Sequence, residues 1–497
     1  MFNSAIDIQR KIFLTIIVHW AFFYSSPGST ILTDTVNNQQ KKLDFYIGYA
    51  LENNPRIKAL SENVKIKFQD AKLATSLPDP MIMAKAGSGN SFKPIGIGIS
   101  QMIMWPGKLS TMKKSGELKA QAEIQNLAAE AVSLEADIRS SYARLYAIGQ
   151  TIKSQKENIE LLKIFENAAR VQYIASGAPR TSTSASGLLS TANSPSSRSA
   201  SSGMQSMNSS SPSGQMSSSP MSSSSSNQST LLKIQVEQAM LEDQILAAES
   251  NAESERKKFR SLLGGTDSID IPFPDHLEPV KLTLSDKEIL DIVRHRNPRI
   301  NSMRKEIDAA KEMSNSARQG LFPDISLGLE YMRPSGSSSM NTSGSSRGNI
   351  DASISMTIPL WVGKKRLEIA RATSMESQMS FELLDMKNML VAETEVLLNE
   401  LRDSERRIRL FQDVLVPQSK QIVDILQVNY RTGQNSYLDI IDAQRTLLDL
   451  ELSLTNEKVR HEIAVAGLIR NIGTEQPWLY SNQNSPVNSE NIPEDKK

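Results

Sequence analysis

The chain has 497 residues with 56 basic and 55 acidic side chains, a net charge of +1, so no global field draws it to nucleic acid. Hydrophobic residues make up 39% and aromatic residues 5%, which suits elongated helices packed one layer deep better than a large compact core. Cysteine is absent, which excludes disulfides, thiolate metal sites, a cysteine nucleophile and an N-terminal lipid anchor on cysteine.

Residues 1–29 read as a secretory signal: Arg10 and Lys11 precede the apolar run Ile12–Phe23, and Ser25-Ser26-Pro27-Gly28-Ser29 supplies a small, polar cleavage zone. Twelve helical residues span about 18 Å, short of the roughly 30 Å of a bilayer's hydrocarbon layer. No later stretch approaches 18 consecutive apolar residues.

Two repeats follow, over 43–264 and 282–473. Asn-Pro-Arg-Ile at Asn54–Ile57 recurs at Asn297–Ile300, Leu77-Pro78-Asp79 as Phe322-Pro323-Asp324, and Trp105-Pro106-Gly107-Lys108 as Trp361-Val362-Gly363-Lys364. Val171-Gln172-Tyr173 is echoed by Val428-Asn429-Tyr430, and Leu262-Leu263-Gly264 by Asn471-Ile472-Gly473. The landmarks keep their order at offsets of about 245 to 257 over most of the repeat, the mark of one large unit duplicated rather than a short-period solenoid.

Each unit reads as helix, strand hairpin, very long helix, returning helix. The expected helices are Asn53–Thr75, Lys108–Tyr173 and Leu231–Leu263 in the first repeat, and Pro298–Gln319, Lys364–Tyr430 and Leu438–Ile472 in the second. The long ones reach about 100 Å at 1.5 Å per residue. Met379, Leu383, Met386, Leu390, Leu397, Leu401 and Ile408 trace a seam at helical spacing, and Pro417 interrupts that helix and should bend it. The clearest strand is Ile350–Leu360, with Ile350, Ala352, Ile354, Met356, Ile358 and Leu360 on one face and Asp351, Ser353, Ser355 and Thr357 on the other. Ile325–Tyr331 and Ile95–Ile103 alternate likewise, and Met81–Ala86 less regularly. An apolar strand face meets either a soluble core or lipid; in an exported chain such strands, ending near Trp105, Tyr331 and Trp361, fit a membrane barrel wall. Four strands cannot close a barrel, since about eight is the practical minimum, so this reading requires oligomerisation.

The element order, the duplication, the Trp-x-Gly-Lys junctions and the turn Tyr430–Gln444 resemble the TolC family of outer-membrane efflux ducts, and Leu77-Pro78-Asp79-Pro80 with Ser100-Gln101 is most similar to its CzcC/CusC heavy-metal branch. The resemblance implies a mainly α fold with a small membrane β part: a homotrimer whose 12-stranded β-barrel in outer-membrane lipid continues into a 12-helix periplasmic α-barrel. It also implies a periplasmic adaptor and an inner-membrane efflux pump as partners. On the same resemblance, Asp439 and Asp442 fall where the family's periplasmic entrance narrows, and Tyr430 where the entrance is held shut. The family's gate arginine is replaced by Asn435. Rings of like charge in a narrow pore select cations, and acids in a helix's first turn also favour its dipole.

In the first repeat the corresponding turn is interrupted by residues 181–230, in which 24 of 50 residues are serine and Arg198 is the only charge. Such a stretch cannot bury enough apolar area to order itself and reads as disordered, as does the tail 474–497. Met204, Met207, Met216 and Met221 are its recurrent apolar side chains; thioethers are ligands for soft cations such as copper(I) and silver, and a plain spacer is the other reading. The four histidines are scattered and no phosphate loop follows a strand, so neither catalysis nor a resident cofactor is expected. The sequence thus points to the exit duct of a tripartite pump, for heavy-metal cations such as copper or silver. Organic compounds or a secreted polypeptide are other cargoes, and a periplasmic coiled-coil scaffold without a pore is the competing class.

Overall fold

The computed structural model of the chain describes residues 31–86, 93–175, 222–265, 269–277, 279, 282, 284–335, 348–358, 360–432, 434 and 437–473. The expected signal, the four methionines Met204, Met207, Met216 and Met221, Asn435 and the tail 474–497 lie outside them.

The first repeat supplies α1 (Ile31–Asn53), α2 (Pro55–Leu73), β1 (Met81–Ala86), β2 (Lys93–Ile103), α3 (Pro106–Ala175) and α4 (Ser222–Leu262). The second supplies α5 (Asp286–Arg296), α6 (Pro298–Gln319), β3 (Asp324–Ser335), β4 (Asn349–Thr357), α7 (Val362–Leu410), α8 (Val416–Arg431) and α9 (Tyr437–Ile472), with a π-helical turn at Phe411–Leu415. Helix α4 begins inside the stretch 181–230 that composition marks as disordered, so Ser222–Thr230 is a correction. Serine tolerates a helix that tertiary packing holds from its far side, and Ile234 of α4 is fully buried. Helix α5 had its own unused signal, the capping box in which Ser285 accepts from the Glu288 amide while the Glu288 carboxylate accepts from the Ser285 amide.

The repeated Asn-Pro-Arg-Ile has a physical cause. Asn54 caps α2 by accepting from the Arg56 amide at 2.8 Å, and its Nδ2 donates to the Leu262 carbonyl at 2.8 Å. Asn297 caps α6 by accepting from the Arg299 and Ile300 amides at 2.8 and 3.2 Å, and its Nδ2 donates to the Asn471 carbonyl at 2.6 Å. Proline at the next position needs no amide partner there. Each asparagine therefore ties the start of a short helix to the end of the helix that closes its repeat. The glycines Gly264 (φ +106°) and Gly473 (φ +70°) end those closing helices in the left-handed region, where a Cβ would meet the Asn53 carbonyl oxygen and Pro298 Cδ.

The chain divides into two compact units. In the first (residues 1–147, 254–408 and 455–497), Tyr46, Ile138, Tyr142, Leu145, Phe259 and Leu263 form one core, with the Tyr46 and Phe259 rings edge to face at 5.2 Å. A second core joins Ile289, Val293, Ile300, Leu390, Leu398, Leu401, Leu468 and Ile469. The seam of α7 delivers Leu390, Leu401 and Ile408 as buried residues, and Leu383, Met386 and Leu397 as partly buried ones.

The same unit carries the sheet, antiparallel in the order β1-β2-β3-β4, with β1 and β4 as its two edges. Register places Ile97 opposite Tyr331 and Tyr331 opposite Ile350, and Gly98 opposite Glu330 and Glu330 opposite Asp351. Ile82, Ile97, Ile99, Ile325, Leu327, Leu329, Ile350, Ile354 and Met356 consequently share one face, and Gly96, Gly98, Ser100, Gly328, Glu330, Ser353 and Ser355 share the other.

In the second unit (residues 148–253 and 409–454), Ile159, Leu162, Ile234, Leu241, Ile440 and Leu448 pack together, and Val416, Val423 and Leu447 form a smaller cluster. The π-helical turn precedes Pro417, which lacks an amide and whose ring crowds the carbonyl four residues back; widening the preceding turn relieves that clash.

Candidate functional site: the α8–α9 turn and the sheet faces

Helix α8 ends where the Thr432 amide donates to the Val428 carbonyl and the Gln434 amide to the Asn429 carbonyl at 3.0 Å. Tyr437 then opens α9 and turns inward. Its ring lies 5.8 Å from Tyr430 and 5.1 Å from Phe165, both near edge to face. Burial, with the neighbouring Tyr430 as a lesser cause, pushes the Tyr437 hydroxyl's pKa well up, and this hydroxyl has no hydrogen-bond partner among the described residues. The three rings pin α3, α8 and α9 together behind the turn. Tyr437 and Phe165 did not stand out in the sequence. Tyr437 is seven residues from Tyr430 within the recognised motif, whereas Phe165 is adjacent only in three dimensions.

Asp439 and Asp442 are both exposed and lie one turn apart at the start of α9. The Asp442 carbonyl accepts from Thr446 Oγ1 at 2.9 Å. Arg445, one turn on, pairs through its guanidinium with Glu237 of α4, which anchors that face of α9. Glu166 of α3 accepts from Gln235 and Gln238 of α4, each at 3.3 Å, and from Arg170 at 3.2 Å; the Gln235 bond is the chief reason its pKa is lowered. The structure therefore brings Tyr430 into an aromatic clasp and leaves the two aspartates facing water. Asn435 falls outside the described residues.

At the sheet, β2's glycines let a charged pair cross it. Lys85 of β1 reaches Glu330 of β3 at 2.6 Å, and a Cβ on Gly96 would stand 3.1 Å from the Glu330 Oε1. The opposite face is mostly apolar and exposed, with Ile82 76% and Ile354 78% accessible, and register also places Gln101 and Arg333 on it. An apolar sheet face of this extent is not left to water in a soluble monomer. Methionines Met81, Met83, Met102 and Met332 stand with the glycines and serines on the polar face. No helix among the described residues is long and apolar enough to cross a membrane. Among the same residues no group of three or more His, Asp or Glu is placed to hold a metal ion, and His461 is buried with Nε2 3.9 Å from Glu405 and Nδ1 3.5 Å from Glu462.

Residues 289–474 match the family described as outer membrane efflux protein. The outer membrane protein TolC of Vibrio cholerae is 22% identical over 203 residues, 39% of this chain and 45% of that protein. The cobalt-zinc-cadmium resistance protein CzcC of Cupriavidus metallidurans is 22% identical over 226 residues, 44% of this chain and 50% of that protein. The chain thus spans about half the length of the curated relatives it matches. The crystal structure of CusC superposes with a TM-score of 0.66 at 16% identity, covering 88% of this chain and 92% of that one. At that identity the likeness concerns the fold.

Proposed function

We propose that this chain, residues 289–474 of which belong to the outer membrane efflux protein family, is the outer-membrane exit duct of a tripartite efflux pump, extending into the periplasm. The observation that carries the reading is the sheet: one face mainly of exposed isoleucine and leucine, one face of glycine, serine, four methionines and a Lys85–Glu330 pair, and β1 and β4 as its two edges. That is the wall of a barrel with lipid outside and water inside, and three copies supply 12 strands to close it. A pore-free periplasmic scaffold gives such a face nothing to bury against. Conduction is passive; an inner-membrane pump reached through a periplasmic adaptor supplies the energy, and no chemistry or cofactor is needed.

The cargo we infer is a heavy-metal cation, with copper and silver favoured. The CzcC likeness supports metal, and the thioethers of Met81, Met83, Met102 and Met332 on the polar face suit soft cations. The expected tract of Met204, Met207, Met216 and Met221 extends the same chemistry. At the α8–α9 turn, Asp439 and Asp442 form the cation-attracting entrance, with Tyr430 in the clasp beside them; Asn435, the expected gate position, belongs to the same sequence motif. Planar-bilayer conductance tests this. The purified chain should open cation-selective channels, and replacing Asp439 and Asp442 with Asn should lower the cation/anion permeability ratio severalfold. Channels of unchanged selectivity would assign the aspartates to helix capping alone, and absence of conductance from a membrane-inserted oligomer would end the duct reading.

A further inference from the structure

The duplicated junction between strand and long helix is satisfied within the chain at one copy and left open at the other. In the first repeat, the Trp105 ring stacks on Phe322 at 5.1 Å with an 11° interplanar angle, and the Trp105 amide donates to the Asp324 carboxylate at 3.0 Å. Two residues on, Gly107 lies against the end of α6: a Cβ would stand 2.8 Å from Gln319 Oε1, so the Gln319 side chain would have to shift to admit one. The receiving segment is thus Gln319–Asp324, and Trp105 with Gly107 is the inserting one.

The second repeat holds the same inserting segment in the same local form. The Trp361 carbonyl accepts from the Lys364 and Lys365 amides, as the Trp105 carbonyl accepts from Lys108 and Leu109. Yet Trp361 is 81% exposed, and nothing among the described residues lies within 4 Å of a Cβ on Gly363. The first repeat holds the matching receiver, Leu77-Pro78-Asp79, with Leu77 50% exposed. Inserter and receiver sit at opposite edges of one sheet: Trp361 follows β4 and Leu77 precedes β1. Three interstrand gaps of about 4.8 Å separate those edges by roughly 14 Å, so they cannot meet within one chain.

We propose that Trp361 and Gly363 of one copy seat on Ala74–Asp79 of a second copy, repeating between copies the joint that Trp105 and Gly107 make with Gln319–Asp324. The Trp361 ring covers Leu77, the Trp361 amide donates to the Asp79 carboxylate, and Gly363 admits the end of α2 at Ala74. The same step sets β4 antiparallel to β1 of the next copy, as β2 is to β3, and carries the apolar face of Ile350 and Ile354 on to Ile82. The partner is a second copy because this chain contains both halves of the joint and a worked example of it. The inference rests on the ring-closing assembly proposed above and names the contact that closes it.

The absence of cysteine makes the test clean. Leu77→Cys and Trp361→Cys chains, co-expressed and purified as the assembled protein, should form a disulfide between copies on mild oxidation, because bonded cysteines need Cα atoms within about 7 Å. Neither variant alone should do so. Trp361→Ala should lower the temperature at which the oligomer dissociates while leaving monomer helix content unchanged, and Trp361→Phe, which keeps a ring, should restore most of it. An oligomer that gives no cross-link, withstands Trp361→Ala, and shows Trp361 emission quenched by brominated lipid would overturn the joint and assign Trp361 to a lipid anchor, leaving the assembly intact. A parent chain that stays monomeric in mild detergent would overturn both.

Discussion

Asn54 and Asn297 do the same work in the two repeats: each caps a short helix and each holds the carbonyl end of the helix that closes its repeat. Trp105 and Trp361 begin from the same local geometry and end differently, one stacked on Phe322 and the other 81% exposed. The contrast separates two uses of a duplicated motif. What stabilises a repeat internally is satisfied twice, whereas what joins one repeat to the next is satisfied once among the described residues, and the second joint is the one proposed to form with another copy.

The sharpest way to break the internal half of that comparison is at the closing glycines. Gly473→Ala places a Cβ 2.1 Å from Pro298 Cδ at a φ of +70°, and Gly264→Ala places one 2.9 Å from the Asn53 carbonyl oxygen at +106°. Both should cost at least about 3 kcal/mol, the left-handed backbone plus a clash with parts that cannot swing away. Gly265→Ala is the control: φ is +81° but nothing among the described residues lies within 4 Å, so only the backbone term of about 1 kcal/mol applies. Thermal unfolding followed by circular dichroism reads all three. Equal shifts would mean the close approach at Pro298 is unimportant.

The asparagines come next. Asn297→Ala removes two cap bonds and leaves the buried Asn471 carbonyl without its donor, an expected loss of about 2–3 kcal/mol. Asn54→Ala removes one cap bond and the Leu262 tie and should cost about 1–2 kcal/mol. If Asn54→Ala proves the more damaging by the same measurement, the second repeat is not the tighter of the two.

Local signals made much of this legible. Alternation located the strands of the second repeat, Asn-Pro-Arg-Ile marked both short-helix starts, and the seam through Leu390 and Leu401 marked the buried face of α7. The landmarks also showed that Trp105 and Trp361 correspond. That among the described residues only Trp105 has a ring partner could not be read there, because Phe322 is remote in sequence and its pairing depends on strand order. At the turn, Tyr430 and the exposed Asp439 and Asp442 sat in one short motif, while Phe165 and the Glu237–Arg445 pair come from other helices that only packing brings alongside. Helix α4's start at Ser222 was missed because composition reports what a segment cannot bury by itself, and not what a neighbouring helix holds in place.

The smallest expected effect concerns a difference between the long helices. Helix α3 runs unbroken over Pro106–Ala175, while the equivalent span Val362–Arg431 carries a π-helical turn ahead of Pro417. If proline alone causes that turn, Pro417→Ala regains a backbone donor and removes the ring's clash with the carbonyl four residues back. Against this, the unfolded chain gains freedom worth about 0.4–1 kcal/mol when proline is lost. The two effects oppose, so global stability should move by less than about 1 kcal/mol. The local signature should be larger: amides of Phe411–Leu415 should exchange with deuterium more slowly once the turn reverts to α-helical bonding. Unchanged or faster exchange there, or a loss of several kcal/mol, would mean that the packing of Val416 and Val423 against Leu447 requires the widened turn and that proline merely follows it.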